Sequence, residues 1–171
     1  MSLRRTAPTV MLATVVLATT GCAQPEGGDF ERTGSDLTTP VVFAAVASVA
    51  AGPCPADRPN VYESRIGGVQ CISVDPDGVV TAEAGSVSLV AASEQTPDVP
   101  QSIELVLEGG ASEHLRVLTA ALSEQSPPRD QMVIAVEGEV VAMPTVMAEL
   151  SGGTVGISGE GLKALYRRLT A

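Results

Sequence analysis

Along the chain, apolar residues come in short runs whose spacing shifts from two to between three and four, the mark of strands interleaved with helices. The first run, Pro8-Thr9-Val10-Met11-Leu12-Ala13-Thr14-Val15-Val16-Leu17-Ala18, carries no charge and follows Arg4 and Arg5. It falls short of the roughly 20 apolar residues that cross a bilayer and has the shape of a removable secretory leader over 1–21. Residues 22–39, with Gln24, Pro25, Gly27, Gly28, Gly34 and Ser35, show no apolar periodicity and read as a flexible tether. The folded unit is expected over 40–171.

Within that unit, Val41-Val42-Phe43-Ala44-Ala45-Val46 suits a buried strand, with its alanines leaving helix open. Gly52-Pro53-Cys54-Pro55 stops it, 55–68 reads as a polar loop, and 69–74 as a second strand that presents Cys71. Asp75-Pro76-Asp77-Gly78 has the chemistry of a turn, with Pro fixing φ and Gly tolerating strained geometry. A calcium loop would need more carboxylates and a distal Glu. Further strands are expected at 87–92 and 102–107, on either side of a breaker at 97–100; in the second, Ile103, Leu105 and Leu107 alternate with their neighbours as on a sheet with one covered face. Ala111, Leu115, Leu118 and Leu122 then fall on one helical stripe that ends before Pro127 and Pro128. Met132-Val133-Ile134-Ala135-Val136 predicts a central strand, and Glu137-Gly138 a tight hairpin into 139–143, which Pro144 terminates. A short strand over 154–157 enters through Gly152-Gly153, and Leu162, Leu165, Tyr166 and Leu169 predict a final helix with Arg167 and Arg168 near its negative end. These elements amount to an α+β fold.

Composition narrows the partners. Removal of residues 1–21 leaves 150 residues with 8 basic against 20 acidic side chains, a formal charge of −12. One domain of ordinary size is expected, and nucleic acid is discounted, because binding it relies on clustered Lys and Arg. Anionic headgroups are discounted for the same reason. Only Phe30, Phe43, Tyr62 and Tyr166 are aromatic after the leader, so the core must be packed from Val, Ile, Leu and Ala.

Leu17-Ala18-Thr19-Thr20-Gly21-Cys22 resembles the lipobox of bacterial lipoproteins, with small residues before a cysteine that takes a diacylglyceryl group; Thr19 stands where an aliphatic residue is usual. The resemblance implies an extracytoplasmic protein anchored to the cell membrane through acylated Cys22, since each buried methylene of a lipid chain contributes about 0.8 kcal/mol. With Cys22 so assigned, Cys54 and Cys71 form an even pair in an oxidising compartment, and a disulfide between them is expected. A metal site would need more ligands than two sulfurs and the distant His114.

Catalytic chemistry finds little purchase. His114 borders the first helical stripe without evident partners, and reads as a packed or solvent-facing residue. The glycines between 152 and 161 lack the Gly-Lys-Ser/Thr ending of a phosphate-cradling loop and fit turns instead. No enzyme, no metal and no cofactor is expected.

Residues 132–169 resemble the head subdomain of the first periplasmic domain of SecD, the protein-export accessory partnered with SecF. The resemblance rests on Val133-Ile134-Ala135-Val136-Glu137-Gly138-Glu139-Val140-Val141-Ala142-Met143-Pro144, then Gly152-Gly153, then Ile157-Ser158-Gly159, then a C-terminal helix. Upstream, 103–122 is similar to the strand and helix that precede this in the family, and Gly52-Pro53-Cys54-Pro55 with Cys71 resembles actinobacterial lipoproteins with this domain. Glu160-Gly161 stands where the family has Phe-Thr. The resemblance implies a ferredoxin-like two-layer sandwich, with a mixed or antiparallel sheet and two helices, and a capacity to contact exported polypeptides or envelope proteins. The strand at 139–143 is the expected edge for pairing with an extended, neutral or basic segment. SecD also has membrane-spanning helices with carboxylates for proton coupling; no such segment occurs in this sequence, which removes a motor role from it. A passive envelope lipoprotein and a cell-surface hydrolase are the competing readings.

Overall fold

The computed structural model of the protein describes residues 33–90 and 101–171. Its elements run β1 (Thr33–Asp36), β2 (Val41–Ala51), β3 (Val61–Ser64), β4 (Gln70–Ala82), β5 (Gly85–Val90), β6 (Ser102–Leu107), α1 (Gly110–Ser123), β7 (Met132–Val136), β8 (Glu139–Ala142), β9 (Thr154–Ser158) and α2 (Leu162–Leu169). The strands divide into a four-stranded sheet in the order β1-β5-β6-β9 and a five-stranded sheet in the order β3-β4-β2-β7-β8. Every pairing in both sheets is antiparallel. The fold is thus α+β with two helices; its strands fill two sheets, where a ferredoxin-like sandwich has one smaller one. The extra strands come from the part of the chain before β6, where the sequence pattern is weakest.

One core lies between the sheets. Val41, Phe43, Ala45, Ile134 and Val136 of the five-stranded sheet meet Val87, Ile103, Leu105 and Ile157 of the other, with Leu115, Leu118 and Leu122 of α1 and Leu162, Leu165 and Leu169 of α2. A second, smaller core sits on the opposite face of the five-stranded sheet, where Ala44, Val46, Ile72, Val74, Val133, Ala135 and Val140 gather. This explains β7: with a core on each side, all five of its residues are buried, so the run has no polar alternation. The second core exists because the sheet curls until its two edge strands, β3 and β8, stand with Cα atoms within 8 Å.

Residues 33–39 correct the expectation of a tether over 22–39. Thr33–Asp36 pairs with β5, Leu37 is buried, and the Ser35 hydroxyl bonds to the Tyr166 hydroxyl at 2.9 Å. Thr38 and Thr39 then cap the end of α2: both amides donate to the Leu169 carbonyl, at 2.9 and 3.3 Å, and the Thr39 hydroxyl donates to the Arg168 carbonyl at 2.6 Å. Backbone pairing and caps hold this segment, and neither leaves an apolar rhythm in the sequence. The folded unit therefore reaches back at least to Thr33, and 22–32 lie outside the described residues.

Three further expectations change. The polar loop over 55–68 contains β3, a four-residue edge strand. The turn at Asp75-Pro76-Asp77-Gly78 forms locally, with the Asp77 amide donating to the Asp75 Oδ1 at 3.0 Å, yet it does not reverse the chain. It is a large bulge within β4: Val74 faces Val46 and Val79 faces Ala44 on the neighbouring strand, so four residues are set against one. Gly78 is required there, because a Cβ on it would come within 2.7 Å of the Ala45 Cβ. The strand near 87–92 starts earlier, at Gly85. The expected Cys54–Cys71 disulfide is present, with Cα atoms 4.7 Å apart, and ties the exit of β2 to β4.

Candidate functional site

Two long side-chain contacts decide which face of α1 stays open. Thr119, fully buried, donates its hydroxyl to the Leu115 carbonyl at 2.8 Å and accepts the Leu150 amide at 2.9 Å. Arg116 reaches Glu113 at 2.7 Å and Glu149 at 3.1 Å, so its guanidinium is held charged, by Glu113 first and Glu149 second, while the Arg116 hydrogen bond holds the Glu113 carboxyl below the usual carboxylate range. Together they bind the loop between β8 and β9 to one flank of the helix. The other flank carries His114, Val117 and Ala121, at helical spacing, with Gln125 just beyond the helix end, and faces the bulge of β4.

Between that flank and the bulge lies a groove of about 820 Å³, within the size range of ligand sites. Its floor is apolar, made by Ala45, Val46, Val80, Leu118 and Leu122. Val79 and Val117 stand at its mouth, 41% and 54% exposed. Asp75 and Asp77 bring carboxylates to the bulge side, and Arg129 lines the groove as well. The lining holds no hydroxyl or thiol side chain; its polar groups are the Asp75 and Asp77 carboxylates, His114, Gln125 and Arg129. Among the described residues no three His, Cys, Asp or Glu side chains gather as metal ligands, and no helix is long and apolar enough to cross a membrane.

The residues singled out by the sequence lie mostly elsewhere. Cys22 is outside the described residues. Glu137 and Gly138 form the hairpin between β7 and β8, with φ of 52° and 80°, the signature of a two-residue turn with both φ positive. Arg168 of α2 clamps that hairpin, contacting Glu137 at 2.9 Å, Glu139 at 2.7 Å and the Val136 carbonyl at 3.0 Å; the Glu137 carboxylate raises its already high pKa further. The Pro144 carbonyl accepts the Met132 amide at 3.0 Å. Gly152 and Gly153 lead into β9, where the Gly153 carbonyl accepts the Leu107 amide at 2.9 Å and Ser112 packs too close for any Cβ. Gly159 follows β9. These six residues shape turns, and none lines the groove.

His114 does line it, exposed, as a solvent-facing residue. Asp75, Asp77, Val79 and Val117 are the residues that sequence reasoning missed. One signal was available: Val117 is an apolar residue beside the leucine stripe, and with His114 and Ala121 it makes a second stripe at helical spacing. Nothing in the sequence places a bulge opposite it. Comparison with protein-family models, with curated proteins and with solved structures finds no significant match to this chain.

Proposed function

We propose that the chain is a non-enzymatic binding domain, hung outside the cell membrane by acylated Cys22, that takes segments of exported polypeptides or envelope proteins into the groove beside α1. The groove carries this reading: an apolar trough with two exposed valines at its mouth. Asp75 and Asp77 on the bulge side and the net acidity of the mature chain favour segments that are neutral or basic. The kinship with the SecD head belongs to the same proposal. It is supported by the order β6, α1, β7, β8, β9, α2 over 102–169, which follows the order of the motifs; the four strands of that stretch divide between the two sheets, β6 with β9 and β7 with β8, and do not form one ferredoxin-like sheet. Residues 22–32 would serve as the tether.

The test is photocrosslinking in cells from a probe placed at Val117, with a probe at Val106 as the control, since Val106 is 36% exposed on the four-stranded sheet and away from the groove. The proposal expects secreted or envelope polypeptides to be captured from 117 and not from 106, with capture reduced when Cys22→Ala releases the protein from the membrane. Equal labelling from both positions would remove the groove from the account.

A further inference from the structure

A second binding surface arises from strand polarity in the five-stranded sheet. Four successive antiparallel steps separate β3 from β8, so the two edges that the curl brings together run in the same direction. They are neighbours without being partners: their Cα atoms come within 8 Å, and neither the sheet pairings nor the other backbone bonds of the described residues link them.

The backbone groups that face this seam follow from the ladder alternation. The Val74 amide donates to the Asn60 carbonyl at 3.0 Å, which makes that pair hydrogen-bonded. With Val61 opposite Ser73 and Glu63 opposite Cys71, the alternation turns the N–H and C=O of Val61 and Glu63 away from β4. On the other side, Glu139 pairs with Val136 directly across the two-residue turn, so the next pair, Val140 with Ala135, points its Val140 groups away from β7. Glu63 and Val140 both line a cavity of about 530 Å³ at the seam, beside Arg65, Ile66 and Glu139. Among the described residues, the outer edges of β1 and β9 each offer one row of backbone groups, whereas the seam offers two, aimed at each other.

We propose that the seam admits an extended polypeptide segment as a sixth strand, antiparallel to both β3 and β8. An odd number of strands cannot close on itself with antiparallel pairs alone, and a sixth strand satisfies both edges at once. Strands sit about 4.8 Å apart, so a strand between two others needs about 9.6 Å, and a seam whose Cα atoms lie within 8 Å must open by at least about 1.6 Å. Alternate residues of the guest would face Ile72, Val74 and Val140 of the smaller core, and the rest would face water. The guest therefore alternates aliphatic and polar residues; Glu139 and Glu63 already face Arg168 and Arg65, and it is the acidity of the mature chain as a whole that favours basic flanks. This surface is independent of the groove beside α1.

The test uses the mature protein and a short peptide of alternating valine and threonine ended by lysines. Amide hydrogen exchange is expected to slow about tenfold or more at Glu63 and Val140 when the peptide is added. Val140→Pro, which deletes an N–H that β7 does not use, is expected to weaken peptide binding about tenfold, the effect of losing one backbone bond with its acceptor stranded. Protection at the seam that persists in Val117→Asp supports the seam even if the groove binds nothing. Peptide binding that leaves both amides unprotected, protection that vanishes in Val117→Asp, or the absence of binding would each overturn it.

Discussion

The two sheets use the same aliphatic residues and bury them differently. In the four-stranded sheet, β6 and β9 alternate: Ile103, Leu105, Val155 and Ile157 are buried while Val106 and the intervening residues of β9 are exposed. In the five-stranded sheet, β7 is buried throughout, between the main core and the smaller one. A sheet with one covered face stays regular and needs nothing further. A sheet that covers both faces by curling must take up its misfit somewhere, and here it does so at the bulge of β4 and at the unpaired seam. Both candidate surfaces sit at those irregularities.

The largest expected effect that sharpens this contrast is at β7. Val133→Ala, on the face of β7 that packs in the smaller core, should lower unfolding free energy by about 1.5–3 kcal/mol, whereas Val106→Thr on the exposed face should change it by no more than about 0.5 kcal/mol; urea denaturation of the two variants compares them. A similar loss in both would mean that the second core does not seal β7. Next comes the bulge. Gly78→Ala forces its new methyl against Ala45 and should cost about 1–3 kcal/mol, with partial recovery in the double variant Gly78→Ala, Ala45→Gly. Full stability of the single variant would show that β4 reroutes freely and that the groove wall is soft.

The smallest effect is electrostatic. The Glu113 carboxyl is held low in the folded state by its hydrogen bond from Arg116, so its contribution is present above the ordinary carboxylate range and is lost as pH falls through the folded value. The ion pair is exposed and screened by salt. Titration of Glu113 by NMR should therefore show a midpoint below the usual range that returns to it in Arg116→Gln; no difference between the two would show that Arg116 does not hold the Glu113 carboxylate on α1.

Sequence reading worked where a segment announces itself by burial. The span from β6 to α2 was legible because its strands alternate or run apolar, its helices carry leucine stripes, and Gly138, Pro144 and Gly153 mark the turns. The Cys54–Cys71 bridge followed from pairing the cysteines left after Cys22. Before β6 the strands read at 41–46, 69–74 and 87–92 are present in β2, β4 and β5, and the rules fail at three places for identifiable reasons. Thr33–Asp36 is held by backbone pairing and by Tyr166, and β3 is a short edge; both are polar enough to pass for loop. Asp75-Pro76-Asp77-Gly78 makes its turn, but the valines on either side keep pairing with β2, and tertiary pairing overrides the local signal. The groove was hidden because its two walls, 75–80 and 114–125, are joined only by the fold.

Amide hydrogen exchange across the mature domain, with and without the lysine-ended valine–threonine peptide, tests the central claim most directly. Slowed exchange along 75–80, on the 114–121 face of α1 and at Glu63 and Val140, with the four-stranded sheet unchanged, is the result the account requires. Protection concentrated on the free edge of β9 and absent from the bulge and the seam would contradict it.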